Sequence, residues 1–347
     1  MGSAFYNWDK VFSYNAYLNM IVTARGRGKT YGLRKQFVKD YLKDGSRFVE
    51  FVRYNKQVQD VCDGYFTKLE ANGEFPELVF KAEGSKFFLA KKPKEDDKPK
   101  WELCGYCVSL NDQQNAKKKT FANVKRVMFD EFILERHSLP GYLHDEWGKF
   151  ANLIDTIARQ IAGEETKVRV YLCANACDLV NPYFVEFGIM DEPREGFTWL
   201  EKGFALLHYE KNSEYSQAKR ETLAGRLSRG HNESMITNVF DNAGKEFIAR
   251  KTKDAKFVFG FVFKGDRFGV WLSLVEGLYF VNRQIPNGEE KVFALTREDA
   301  SVSILNAKRA NYYLNTIIEM FYANCVRYDS YETYDKFLKM SSLFGVR

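Results

Sequence analysis

Cysteine is sparse, 6 residues in 347. Scattered through a chain of this length, those cysteines exclude a disulfide-built scaffold and read as the reduced thiols of a cytosolic protein. No stretch reaches the roughly 18–20 apolar residues that a membrane helix needs. The start, MGSAFYNWDK, has no apolar signal core, and Tyr6 does not fit the myristoylation pattern. No internal repeat is visible. Charge of one sign is not in large excess either. The net balance of +6 permits a polyanionic partner without requiring one, so local clusters have to decide.

What is present is core material. Hydrophobic residues make up 45% and aromatics 16%, with 30 Phe and 20 Tyr, while the 28% of charged residues are well mixed. This is the balance of a folded chain, long enough for two domains and a linker. Cys104 and Cys107 form a lone CxxC in WELCGYCVSL. A zinc site would need a second half, and Cys173 with Cys177 supply it only if folding brings them close, so two buried strand thiols are the better reading.

Short apolar runs alternate with amphipathic stretches over the first two hundred residues, the pattern of a parallel α/β sheet. LNMIVT (18–23) reads as a buried strand, followed by a glycine turn and a helix from about Lys29 to Leu42 that ends near Gly45. RFVEFV, RVMF and VRVYLC read as further core strands. Residues 77–90 read as a β-hairpin, Lys91–Lys100 as a charged, mobile surface loop, and 146–162 as a helix. The division expected is 1–205 for a first domain, 206–238 for a polar, basic, helix-compatible linker, and 239–347 for a second domain. That last part holds a β-meander around KFVFGFVFKGDRFGVWLSLVEGLYFV and a helical end from Asn306.

TARGRGKT, Thr23 to Thr30, sits after a hydrophobic strand and before a helix, where a phosphate-binding loop belongs. Gly26 and Gly28 let backbone N–H groups converge on phosphate oxygens, and the helix N-terminus adds its positive end. Thr23, Ala24, Arg25, Gly26, Arg27, Gly28, Lys29 and Thr30 are therefore expected to hold ATP. Lys29 would pair with the β- and γ-phosphates, and the Thr30 hydroxyl would ligate Mg²⁺. Thr23 stands where the Walker A pattern asks for glycine.

The second motif is RVMFDE, an apolar strand ending in two carboxylates. Asp130 is placed to hold the Mg²⁺ shell and Glu131 to polarise an attacking water. That acid pair favours hydrolysis over transfer to a small acceptor. A chance GxGKT, or a commonplace strand-end acid pair, is weak beside the two motifs together. Asn175, after the fourth strand in YLCANA, either senses the γ-phosphate or caps a turn.

Together with NLIDTIARQ and CANACDLVNPYF, these segments resemble the DNA-packaging (encapsidation) ATPases of small podoviruses, those with protein-primed genomes and a structural packaging RNA. The likeness runs from FYNWDK through KDAKFVFGFVF and GVWLSLVEGLYF to the C-terminal helices. The charged insert at Lys91–Lys100 and a longer segment between Arg159 and Val168 depart from it. The resemblance implies an ASCE-type, RecA-like P-loop fold related to terminase large subunits, followed by a vestigial RNase H-like α+β domain. It implies a homopentameric ring in the host cytoplasm, docked transiently on the portal vertex of a prohead, which drives double-stranded DNA through its pore. The portal and a packaging RNA are the implied partners. By motif position it makes Arg159 an arginine finger reaching a neighbour's site, and it makes Arg53 and Lys56 weaker candidates for phosphate contact.

Lys117, Lys118 and Lys119 precede the RVMF strand, and Arg136 and His137 follow it. Such loops either meet DNA phosphates in a pore, without reading sequence, or are solvated surface. The resemblance favours the pore. An active nuclease domain would need carboxylates on its first strand, but FVFGFVF has none, so nuclease activity is not expected. Lys245, Arg250, Lys251 and Lys253 are then candidates for binding the prohead, RNA or DNA. The rival readings are another P-loop translocase or helicase, a non-catalytic shell or RNA-binding protein with a dead loop, and, more remotely, a small-molecule kinase.

Overall fold

Leu18–Val22 (β1) is buried at every position and pairs in parallel on both sides, with Arg169–Ala174 (β7) and with Ala205–Tyr209 (β9). A strand covered on both faces and both edges has no solvent-facing row, so a continuous apolar run replaces alternation. Its one polar side chain, Asn19, donates from Nδ2 to the carbonyls of Ala16 and Val170.

The computed structural model describes residues 5–94, 97–116, 120–135, 138, 140–143, 145–160, 167–179, 181–189, 192–211, 240, 247–289, 291–300 and 307–341. The chain divides into two units, Met1–Asp241 and Asn242–Arg347. The remaining strands of the first unit are β2 (Arg47–Val52), β3 (Leu78–Glu83), β4 (Lys86–Lys91), β5 (Glu102–Ser109), β6 (Val124–Asp130) and β8 (Gly196–Glu201). The nine-stranded sheet has the order β3-β4-β5-β2-β6-β7-β1-β9-β8. From β5 to β9 every pairing is parallel, and an antiparallel strand or hairpin closes each rim. The parallel centre expected from the sequence is therefore present. The linker was expected to begin at 206, yet Leu206–Tyr209 belong to β9, because a short apolar ALLHY completes the pairing of β1.

One face of this sheet packs against α1 (Trp8–Tyr14), α2 (Lys29–Asp44), α3 (Lys56–Gly64) and α4 (Thr67–Ala71). The other packs against α5 (Gln113–Ala116), α6 (Glu146–Ala158) and α7 (Pro182–Glu186). Helix α6 buries Phe150, Leu153 and Ile157, spaced three and four apart on one stripe. Emptying one such aromatic position would cost about 3–5 kcal/mol. Helix α2 stops at Gly45, whose left-handed backbone (φ 73°) lets its N–H reach the Tyr41 carbonyl. Cys104 and Cys107 are buried in β5.

In the second unit β10 (Lys256–Phe263), β11 (Asp266–Ser273) and β12 (Leu278–Asn282) form an antiparallel meander. Strand β13 (Val292–Ala294) lies parallel to β10, and β14 (Val326–Tyr328) parallel to β12. Lys264 and Gly265 turn the first hairpin with φ 50° and 83°, both central residues on the positive side as a tight hairpin favours. Helices α8 (Ala307–Tyr322) and α9 (Tyr331–Ser341) supply Leu314, Ile317, Phe337 and Met340 to a core with Phe259, Phe261 and Phe268. The end read as wholly helical is thus interrupted by β14. Most of the linker, the Arg159–Val168 insert at 161–166 and Lys245 lie outside the described residues. Among the described residues no helix is long and apolar enough to cross a membrane.

Candidate nucleotide site

The loop after β1 and the tip of β6 open on one cleft of about 490 Å³ at the C-terminal ends of the parallel strands. Arg25 to Thr30 form one wall, Asp130 and Glu131 another, and Ala174 and Asn175 the floor between them. Strand β7 lies between β1 and β6, so Asn175, following it, falls between the two motifs.

Gly26 and Gly28 adopt φ 90° and 71°. Gly28 is also the N-cap of α2, so the loop turns directly into the helix and leaves the helix's first N–H groups facing the cleft. Thr23, the departure from the Walker A pattern, keeps a negative φ, so the position needs no glycine. It is fully buried and contributes to the site, since its carbonyl and Oγ1 accept from Lys29 Nζ at 2.8 and 3.3 Å.

Lys29 Nζ also donates to the Ala24 carbonyl at 3.1 Å and to Asn175 Oδ1 at 3.1 Å. Burial lowers its pKa from the ordinary lysine value, and nearby charges including Asp130 oppose that shift. Across the cleft, the Thr30 hydroxyl donates to Asp130 Oδ2. The Glu131 N–H donates to Asp130 Oδ1 at 3.0 Å, and Glu131 itself is exposed on the cleft with φ 56°. Left-handed backbone is uncommon for a non-glycine residue and concentrates at functional turns.

Sequence reasoning missed the far wall, which consists of Phe5, Tyr31, Arg34, Tyr65, Lys68 and Asn72 among others. Arg34 pairs with Glu50 of β2 through Nε–Oε2 at 3.0 Å and Nη2–Oε1 at 2.7 Å, and it lies over the Tyr65 ring. The signal available was Glu50 itself, a carboxylate inside the apolar RFVEFV. A second cavity, of about 290 Å³, adjoins the loop on the β8–β9 side. Its lining includes Tyr6, Arg27, Phe197, His208 and Glu210.

Three predicted residues stand elsewhere. Arg53 does not line the cleft. It is buried, pairs with Glu146, and spends its other N–H groups on the backbone of Glu131 and Phe132. It is therefore no phosphate contact in this geometry, because its donors are consumed inside the fold. Lys56 is exposed at the start of α3. Arg159, at the C-terminal end of α6, is exposed and ion-paired with Asp155 one turn earlier. Lys117, Lys118, Lys119, Arg136 and His137 lie outside the described residues.

A strand–loop–helix with this lysine, facing a strand-end acid pair across one intervening strand, defines the class: an α/β protein with a P-loop nucleotide site. Over residues 1–341 the sequence matches the model of the podovirus DNA encapsidation protein (Gp16), and the chain belongs to that family. It is similar to the DNA packaging protein of Bacillus phage phi29, 29% identical over 332 residues and 94% of both chains. The DNA packaging protein of Bacillus phage PZA is 30% identical over the same shares. Among solved structures, a chain of the phi29 viral genome packaging motor assembly superposes with a TM-score of 0.68 at 27% identity, covering 97% of this chain and 100% of that one. The N-terminal domain of the phi29 DNA packaging ATPase gives 0.52 at 29% identity, covering 61% of this chain and 100% of that domain.

Proposed function

We propose that this chain hydrolyses ATP in the cleft and couples that reaction to moving double-stranded viral DNA into a preformed prohead. The observation that carries the chemistry is the meeting of Thr30 with Asp130 beside Lys29 and Glu131. Family membership and chain-long similarity to the phi29 packaging protein carry the biological role.

In this reading the loop amides and Lys29 bind the phosphates, and an arriving phosphate takes over Lys29 from the carbonyls that now hold it. The Thr30 hydroxyl and the Asp130 carboxylate are hard oxygen donors side by side, a set that fits Mg²⁺. When bound, that ion neutralises charge on the phosphoryl oxygens. Glu131 orients and deprotonates the attacking water, and Asn175 fixes the γ-phosphate side of the floor. The order β1-β7-β6, with one strand between the two motifs, supports an ASCE, RecA-like assignment.

Arg159, exposed at a helix end, is proposed to act on the site of an adjacent subunit in a pentameric ring. Lys117, Lys118, Lys119 and Arg136 are proposed to meet DNA in its pore, with the portal and a packaging RNA as further partners in the host cytoplasm. The second unit is proposed as a vestigial, RNase H-like domain that binds nucleic acid or the prohead. Its β10 carries no acid, and Asp266 is engaged by Arg283 at 2.6 Å and Lys336 at 2.9 Å. Arg250 and Lys253 are exposed, and Lys251 lies over the Trp271 ring.

Phosphate release by Glu131→Gln tests the chemistry. ATP binding is expected to persist while turnover and packaging are lost; normal turnover in that variant refutes the assigned base. A helicase would separate strands, so a duplex-unwinding assay distinguishes that reading.

A further inference from the structure

Glu146 is the first residue of α6 and belongs to neither motif, yet both of its carboxylate oxygens are committed. Its Oε1 accepts from Arg53 Nη2 at 2.9 Å and from the Tyr183 hydroxyl at 3.0 Å. Its Oε2 accepts from Arg53 Nε at 2.8 Å and from the Leu143 N–H at 2.9 Å. The carboxylate is fully buried and the Arg53 side chain only 4% exposed, with the Phe129 and Tyr142 rings beside the guanidinium. What remains of that guanidinium points at the base loop. Nη1 and Nη2 donate to the Glu131 carbonyl at 3.3 Å, and Nη2 donates to the Phe132 carbonyl at 3.2 Å.

A buried ion pair is a poor way to gain stability, since apolar residues of similar volume do as well or better. It is a good way to hold a direction, because a bidentate pair fixes the plane and rotation of the guanidinium. Glu131 has the left-handed backbone and an exposed carboxylate, so its aim depends on how its peptide is held. The N–H side is held by Asp130 and the carbonyl side by Arg53.

We infer that Glu146 is a positioning residue for hydrolysis, acting through Arg53 on the peptide that carries Glu131. This rests on the reading of Glu131 as the base.

The test uses the full chain and reads ATP turnover at saturating ATP alongside affinity for a fluorescent ATP analogue. Glu146→Gln keeps the shape but weakens the grip on Arg53. The expected result is a fall in kcat of about 10²-fold, the scale of a misplaced catalytic group, with affinity within about twofold of the parent because ground-state binding is untouched. Turnover is referred to the number of analogue molecules bound, so a merely structural loss, which empties sites without slowing the filled ones, would leave kcat at the parental value. Should Glu146→Gln fail to fold, Tyr183→Phe, which removes one hydroxyl, should lower kcat alone and in the same direction. Parental kcat in the folded Glu146 variant, or in Tyr183→Phe, overturns the inference. Normal turnover in Glu131→Gln alone instead sinks the assignment of the base.

Discussion

The hydroxyl of Thr30 donates to the carboxylate of Asp130, 100 residues further along the chain. Two segments unrelated in sequence are thereby joined at the place where a phosphate-bound cation would sit. Asp130→Asn keeps the hydrogen bond possible and removes the charge. Turnover is expected to fall by about 10²-fold or more, the order lost when one preorganised electrostatic group is removed, with a higher magnesium requirement. A magnesium titration of phosphate release checks it. An unchanged requirement would free Asp130 from the role.

Gly28 separates two effects. A Cβ there would stand 2.7 Å from Phe5 Cδ1, but that ring is exposed and able to move, whereas φ 71° is fixed by the loop. Gly28→Ala should therefore cost about 1–2 kcal/mol through backbone strain and weaken ATP binding. Adding Phe5→Ala should recover little. Full recovery in the double variant, by urea unfolding and nucleotide titration, would show that the clash dominates instead.

Glu50 lies inside β2 against Arg34, with side-chain exposures of 3% and 17%. Glu50→Gln leaves the guanidinium under-compensated, a loss of about 3–5 kcal/mol for a fully buried pair and toward the lower figure here, because Arg34 keeps an edge on the cleft. Replacing both residues by Leu and Met should return most of the stability without returning activity. Denaturant midpoints decide it, and a double replacement as unstable as the single one argues against the charge explanation.

His208 has its pKa lowered from 6.5 to about 4, by burial first and then by the Lys10 charge. Its Nδ1 and the Tyr6 hydroxyl share a hydrogen bond at 2.6 Å, and its ring stacks on Phe197. A depressed native value means that the unfolded chain takes up a proton which the folded chain refuses. This contribution is complete above pH 6.5, is lost as pH falls toward about 4, and is constant below. Melting temperatures across that window should drop more steeply for the parent than for His208→Phe. Parallel curves would contradict the assignment.

The nucleotide loop was legible because each part of it is local. An apolar strand, two glycines and a helix start are adjacent in TARGRGKT, and an apolar run simply stops at Asp130. The supports of the site were not legible. Glu50 and Arg34 belong to different elements, and Glu146 finds Arg53 only through the fold. A basic residue after a strand therefore read as a phosphate contact, although its partner acid lies 93 residues away. Strand β9 was missed for a related reason. Five residues of modest hydrophobicity beside a polar tract gain strand character from pairing with β1, which no window of sequence contains. Strand β14, three residues between two helices, is a case of the same kind.

The place of β7 limits how this site can be worked. It is zipped to β1 on one side and to β6 on the other, five residues deep on each. A slip of one residue would turn every side chain of the strand to the opposite layer. The platform beneath the phosphates is therefore stiff, and whatever throws the stroke must pull at the rims, on the turns that crown these three strands.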